Sequence, residues 1–246
     1  MEQLQTTLKS LHLGGMATVL PVRYQEAKTH EQDYLDFLEA LVNDEIGRRK
    51  DNLLKRRIKI ARLPQQKTLE QFDFSFNPQI PKKEVMALMS TRFVSEAKNV
   101  LFLGPPGVGK SHLALALGLT ALQNGYTTYY RSAFDLVTDL TDAARNDERK
   151  ECVRKLCSYQ LLIIDEFGMK KMPPSAADDI LEIIHRRYEN VSTIIATNRP
   201  INDWGVLLGD NAATAAILDR FLDKTTILSI KGKSYRLAQK NNKEGN

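Results

Sequence analysis

The sequence is short of the residues that build disulfide frameworks and metal clusters. It has two cysteines, Cys152 and Cys157, and four histidines in 246 residues. No second cysteine pair or histidine cluster accompanies them, which excludes zinc-finger spacing. The two thiols lie in a charged stretch with helical character and do not share a helix face, so they are read as plain thiols. Long apolar runs are missing too. No stretch approaches the roughly 20 apolar residues of a membrane span. The opening MEQLQTTLKS lacks the basic-then-apolar order of a signal peptide. A cytoplasmic protein without membrane contact is expected. No basic segment is interleaved with aromatics in the way of a base-reading motif.

A hydrophobic fraction of 42% is enough for a real core, and 246 residues suit one large domain or a domain with an appendage. The net charge of +5 is mild but unevenly spread. Residues 1–46 hold three Lys/Arg against eight Asp/Glu. Residues 47–67, GRRKDNLLKRRIKIARLPQQK, hold nine Lys/Arg against one Asp. Such density suits either a solvated helix face or contact with a phosphate backbone, and nucleic acid is the favoured partner. Arg48, Arg49, Lys50, Lys55, Arg56, Arg57 and Lys59 are the candidate contacts.

Helical spacing predicts an all-helical segment over 1–67. Gly14-Gly15 breaks its first helix, and Thr29 with Gln32 reads as a capping box opening a long second one. Residues 64–82 read as an extended linker. Its Leu69, Phe72, Phe74 and Phe76 are expected to pack on the neighbouring domain, and one of them can also line an adenine pocket. A helix is predicted over 83–98. From there strands alternate with helices: Asn99–Leu103, Thr127–Arg131, Leu161–Ile164, Val191–Ala196 and Thr225–Ile230 are the predicted strands. Ser132 is placed to cap a helix over 133–145, and further helices are predicted over 146–158 and 176–188. This alternation implies a parallel sheet covered on both faces, with its ligand at the carboxyl ends of the strands.

Gly104 to Ser111 reads GPPGVGKS and fits the phosphate-loop pattern G-x-x-x-x-G-K-[ST]. It lies between a short apolar strand and an apolar helix, as that pattern requires. Gly104, Pro105, Pro106, Gly107, Val108, Gly109, Lys110, Ser111 and His112 are therefore the expected nucleotide-binding residues. The glycines let backbone amides face a polyphosphate. Lys110 brings positive charge to the outer phosphates, and the Ser111 hydroxyl can ligate Mg²⁺.

Asp165 and Glu166 follow the apolar run LLII. They can cap a helix. Downstream of a phosphate loop they are better read as a metal-holding carboxylate beside Ser111 and a base that polarises water. Asn198 can orient that water and sense the terminal phosphate, form an Asx-turn before Pro200, or do both. Arg220 can pair with Asp219 or Asp223, or serve a neighbouring subunit as an arginine finger.

Taken together, GPPGVGKS, LLIIDE, IIATNRP, ILDRF and GKSYR resemble the AAA+ ATPases, and most closely their DnaC/IstB branch. The stretch Trp204–Asp210 and the amino-terminal LKSLHLGGMA resemble the IstB family of insertion-sequence ATPases. The resemblance covers nearly the whole chain. It implies an α/β AAA+ P-loop parallel sheet flanked by helices over 68–246, with a small all-helical domain over 1–67. It assigns Lys110 and Ser111 to Walker A, Asp165 and Glu166 to Walker B, Asn198 to sensor I, Arg220 to the arginine finger and Arg236 to the second sensor. The chain ends ten residues after Arg236, so a full helical lid does not fit and Arg236 can serve nucleotide or DNA.

The resemblance further implies ATP and Mg²⁺ as cofactors and a homo-oligomer with ATP at subunit interfaces. Double-stranded DNA and a transposase are the implied partners in DNA transposition and recombination. In this branch the helices after the second strand face nucleic acid, which adds Arg145, Arg149, Lys150 and Arg154, with Lys170 and Lys171 beyond them. A replicative helicase loader of the DnaC type is the alternative, because it shares the ATPase core.

Overall fold

Five strands carry apolar residues on both faces, and each face is covered by helices. The computed structural model describes residues 1–169, 172–208 and 211–238. The strands are β1 (Asn99–Leu103), β2 (Thr128–Ser132), β3 (Leu161–Phe167), β4 (Ser192–Thr197) and β5 (Thr225–Ser229). They form one sheet in the order β2-β3-β4-β1-β5, with every neighbouring pair parallel. The expected α/β class with a parallel sheet flanked by helices therefore holds. Alternate residues of one strand serve opposite cores. Leu161 and Ile163 join Val100, Phe102, Ile194 and Leu113 on one side. Leu162 and Ile164 join Leu101, Ile195, Leu136 and Ile183 on the other.

The helix after the phosphate loop, Lys110–Gln123, buries nine of its residues, because it crosses the sheet beneath β1, β3 and β4. On the other face lie the helices Ala133–Arg145, Arg149–Ser158 and Pro174–Arg187. Ser132 caps the first of these, its hydroxyl accepting from the Asp135 amide. The predicted helix over 83–98 is instead two, Lys82–Met89 and Arg92–Ser95. Thr91 divides them in a left-handed conformation, and its hydroxyl accepts from the Asn124 amide.

The chain forms two compact units, Met1–Arg56 and Arg57–Asn246. Its first helices are Glu2–Ser10, Gly14–Thr29 and Tyr34–Ala61. Thr29 thus ends a helix, and the predicted Thr29/Gln32 capping box does not form. The Asp33 carboxylate instead accepts from the Tyr34 amide at 2.6 Å. Pro21 lies inside the second helix, where its missing N–H leaves the Ala17 carbonyl without an intrahelical donor. Gln5 supplies one at 2.9 Å. The same helix has no local side-chain cap. The Glu45 carboxylate reaches across from the third helix and accepts from the Gly15 and Met16 amides. A Cβ at Gly15 would stand 2.9 Å from the Glu45 Cα, so only glycine permits that approach.

The main unit contains an unpredicted internal cation. Arg187, at the end of the Pro174–Arg187 helix, is 1% exposed. Its guanidinium donates to the carbonyls of Leu156, Tyr159 and Ser192 and to the Thr193 hydroxyl. It thereby ties the ends of two helices to the start of β4. Burial pushes its pKa down to about 10, which leaves it charged at neutral pH.

Two predictions follow from these contacts. Arg187→Met leaves buried carbonyls without donors and lowers unfolding free energy by about 3–5 kcal/mol, as read by urea titration. Glu45 is held below the usual carboxylate range, first by Arg49 and then by the two amides it caps. A depressed folded pKa gives stability that is present above the ordinary Glu value and lost as pH falls below it. Glu45→Gln therefore destabilises the amino-terminal helices by about 1 kcal/mol at pH 7, and the difference from wild type shrinks at pH 3, measured by helical circular dichroism.

Candidate active site

The phosphate loop leaves β1 and turns into its helix at Lys110. Two of its glycines are required by what packs on them. Gly107 has φ +80°, and a Cβ there would lie 2.1 Å from the Ser234 hydroxyl oxygen. Gly109 has φ +103°, and a Cβ there would meet the Phe72 ring at 2.6 Å. Two distant segments thus close on the loop. The Tyr235 amide donates to the Gly107 carbonyl at 2.9 Å. Asn77 donates to the Lys231 carbonyl at 2.6 Å, and the Phe76 and Tyr235 rings meet edge-on at 4.9 Å. His112 Nε2 donates to the Thr68 carbonyl at 2.8 Å, and its ring lies edge-on to Phe72.

These elements enclose a cavity of about 500 Å³. Lys110, Ser111, His112, Asp165, Glu166 and Arg236 line it, with Tyr130, Phe72, Phe76 and Tyr235. Leu69, Phe72 and Phe74 pack against the core, and Phe72 and Phe76 also form cavity wall. The Lys110 ammonium donates to the Gly104 and Pro105 carbonyls, each at 2.8 Å. Burial pushes its pKa down, Asp165 pulls it up, and Arg236 pushes it down further.

Register explains how two adjacent carboxylates reach one cavity. Successive residues of a regular strand point to opposite faces. Here Ile164 pairs with Ile195 and Phe167 with Thr197, so three steps of β3 match two of β4. The extra residue is a β-bulge at Asp165-Glu166, and Glu166 takes φ +58°. Downstream the parity of the strand is reversed. Phe167 joins the opposite core from Ile163 and packs on Trp204 with ring centroids 4.4 Å apart. Asp165 is 3% exposed, accepting from the Tyr130 hydroxyl at 3.1 Å and from the Glu166 amide at 2.8 Å. Glu166 is exposed and also borders a second cavity of about 400 Å³, lined by Phe134, Val137, Met169 and Met172.

The donor set fits Mg²⁺. Among the described residues no three Asp, Glu, His or Cys cluster as a metal cage. One carboxylate, one hydroxyl and substrate phosphates are the usual holders of this ion, and Asp165 and Ser111 face the same cavity.

Other predicted residues lie elsewhere. Asn198 follows β4, the strand between the loop strand and β3. Its buried Oδ1 has no hydrogen-bond partner among the described residues. Arg220 lies in the last turn of the helix Asn211–Asp223, which feeds the amino end of β5 and leaves the cavity at the other end of the sheet. The Asp223 carboxylate accepts from Tyr188, and Arg220 has no ion-pair partner among the described residues. Arg149 bridges to Asp179 and Glu182, while Arg145 pairs with Asp142 and Arg154 with Glu151. Arg49 pairs with Glu45, and Arg48 lies over Gly14. Lys50, Lys55, Arg56 and Lys59 are exposed and Arg57 is half-buried, all on the Tyr34–Ala61 helix. Lys150 is exposed. Lys170 and Lys171 lie outside the described residues. Tyr130 was not singled out by sequence reasoning, because a strand tyrosine carries no motif.

The left-handed Glu166 makes a prediction about stability. Glycine adopts φ +58° freely and alanine does not. Glu166→Gly should be more stable than Glu166→Ala by about 1 kcal/mol in urea unfolding, although neither retains the carboxylate.

Comparison with known proteins places the chain in a family. The family of IstB-like ATP binding proteins matches residues 6–243. A protein of Geobacillus stearothermophilus, named as an ATP-binding protein of insertion sequence IS5376, is 36% identical over 97% of this chain and 95% of its own length. The corresponding protein of insertion sequence IS21 from Pseudomonas aeruginosa is 38% identical over 98% of this chain and 91% of its own. Among solved structures, the DnaC helicase loader matches with a TM-score of 0.52 and 26% identity, over 61% of this chain and 87% of that one. The phosphate loop, the two carboxylates and the five-stranded parallel sheet thus occur together in a chain that belongs to the IstB-like ATP-binding family, with an AAA+ fold.

Proposed function

We propose that this chain is a Mg²⁺-dependent ATPase that assembles on double-stranded DNA and assists a transposase in choosing and joining target DNA. The observation that carries the reading is the convergence of Lys110, Ser111, Asp165, Glu166 and Arg236 on one cavity. Each group there has a distinct task. Loop amides and the Lys110 ammonium hold the phosphates. Ser111 and Asp165 hold the Mg²⁺, which supplies charge neutralisation at the phosphate oxygens when bound. Glu166 accepts a proton as water attacks the terminal phosphorus and the bond to ADP breaks. Asn198, which follows β4 between β1 and β3, is assigned to orient that water by its likeness to sensor I. Phe72, Phe76 and Tyr235 provide flat walls for a base.

The cavity lacks one element expected of an efficient phosphoryl-transfer site. Lys67 and Arg236 are the cations that join Lys110 there, and Arg220 stands at the far end of its sheet. Arg220 is free to serve the cavity of another copy, so ATP would close subunit interfaces and hydrolysis would open them. DNA would lie along Lys50, Lys55, Arg56 and Lys59, with Arg145, Lys150 and Arg154 as further contacts. Arg149 is engaged with Asp179 and Glu182 and is left out of this set. The relatives, which are named for insertion sequences, support a transposase as the partner. No helix among the described residues is long and apolar enough to cross a membrane, in keeping with a partner in solution.

Subunit complementation tests the shared site. Lys110→Ala abolishes nucleotide binding, while Arg220→Ala binds nucleotide and loses turnover by about 10³-fold. A mixture of the two regains activity, because the first donates Arg220 to the intact loop of the second. A mixture as inactive as its components overturns the assignment. Electron microscopy on duplex DNA should show ATP-dependent assemblies that Glu166→Gln stabilises. Recovery of a replicative helicase in place of a transposase from pull-down would favour the helicase-loader alternative.

A further inference from the structure

We propose that the Tyr130 hydroxyl is the positioning group for Asp165, holding its carboxylate in the orientation that takes Mg²⁺. The inference rests on the reading of the cavity as a Mg²⁺–ATP site and adds a residue that no motif marks. β2 is the edge strand beside β3, with Tyr130 opposite Ile163 and Ser132 opposite Asp165. Tyr130 and Asp165 therefore lie diagonally on one face of the sheet, and the tyrosine ring spans the step. The ring packs against the core formed with Val108, Leu113 and Ile163, so the hydroxyl is delivered by a fixed frame.

The hydrogen-bond account of Asp165 is specific. Oδ2 accepts from the Tyr130 hydroxyl at 3.1 Å, and Oδ1 accepts from the Glu166 amide at 2.8 Å. A carboxylate has about four acceptor positions. One on each oxygen is thus taken by the protein, and one on each remains for a hydrated cation. The amide contact comes from the next residue and cannot by itself fix the side chain against rotation. The tyrosine contact comes from another strand, 35 residues away in sequence, and supplies that restraint.

Ligating carboxylates held by outer hydrogen bonds lose about 10–100-fold in metal affinity or activity when those partners are removed. Tyr130→Phe removes the donor and keeps the ring. The test uses the full-length chain and a fluorescent, non-hydrolysable ATP analogue, with Mg²⁺ titrated from an EDTA baseline. The expected result is an unchanged melting temperature and Mg²⁺-free analogue affinity within 2-fold of wild type, with the Mg²⁺ midpoint raised about 10-fold or more. A packing role alone would alter melting and Mg²⁺-free affinity and leave the midpoint in place. Should the Phe variant melt early, 4-fluorophenylalanine at position 130 fills the same space without a donor and serves the same comparison. An unchanged midpoint against a Mg²⁺-dependent wild type overturns this inference alone. A wild-type chain whose analogue binding ignores Mg²⁺ overturns the site reading and this inference together.

Discussion

Neighbouring residues of a β-strand point to opposite faces, and the cavity of this protein is lined by two neighbours, Asp165 and Glu166. One additional residue in β3 resolves the conflict. The bulge turns Glu166 back toward the cavity and leaves Asp165 beneath it. It also hands Phe167 to the opposite core, where Trp204 receives it. The left-handed φ of Glu166 costs roughly 1 kcal/mol or more. The ladder on either side of the bulge and the Phe167–Trp204 contact hold that conformation in place. The stretch Trp204–Asp210, which resembles the IstB family, thus begins with a residue that anchors the strand carrying both carboxylates.

A second constraint is the way distant segments close on the phosphate loop. Gly107 and Gly109 are flanked by Ser234 and by Phe72, and larger residues at either position would push those segments off. The linker before the sheet and the segment after β5 are in turn joined by Asn77 and by the Phe76–Tyr235 pair. Among the described residues only one helical turn, 235–238, follows β5. Tyr235 and Arg236, carried on that turn, reach the cavity through the backbone bond from Tyr235 to Gly107. This is how Arg236 meets the site.

Charge is divided between inner and outer uses. Arg187 and Arg149 are spent on the fold, the first on carbonyls and the second on Asp179 and Glu182. The lysines of the Tyr34–Ala61 helix remain exposed. A basic residue count along the chain does not distinguish these uses. Arg186 and Arg187 are adjacent in sequence, yet one is exposed and pairs with Glu182 while the other is buried.

The alternation of apolar runs with helical periodicity, and the GPPGVGKS and LLIIDE motifs, determined the parallel α/β sheet and the residues at its carboxyl end. Those features are local, set by backbone geometry and by short spacings that phosphate and metal chemistry demand. The division at Thr91 and the β3 bulge were decided by tertiary contacts. So were the internal place of Arg187 and the bond from Tyr130 to Asp165. Each depends on which residue a distant segment brings alongside. A tyrosine in a strand reads as packing until the register of β2 against β3 sets its hydroxyl on a carboxylate.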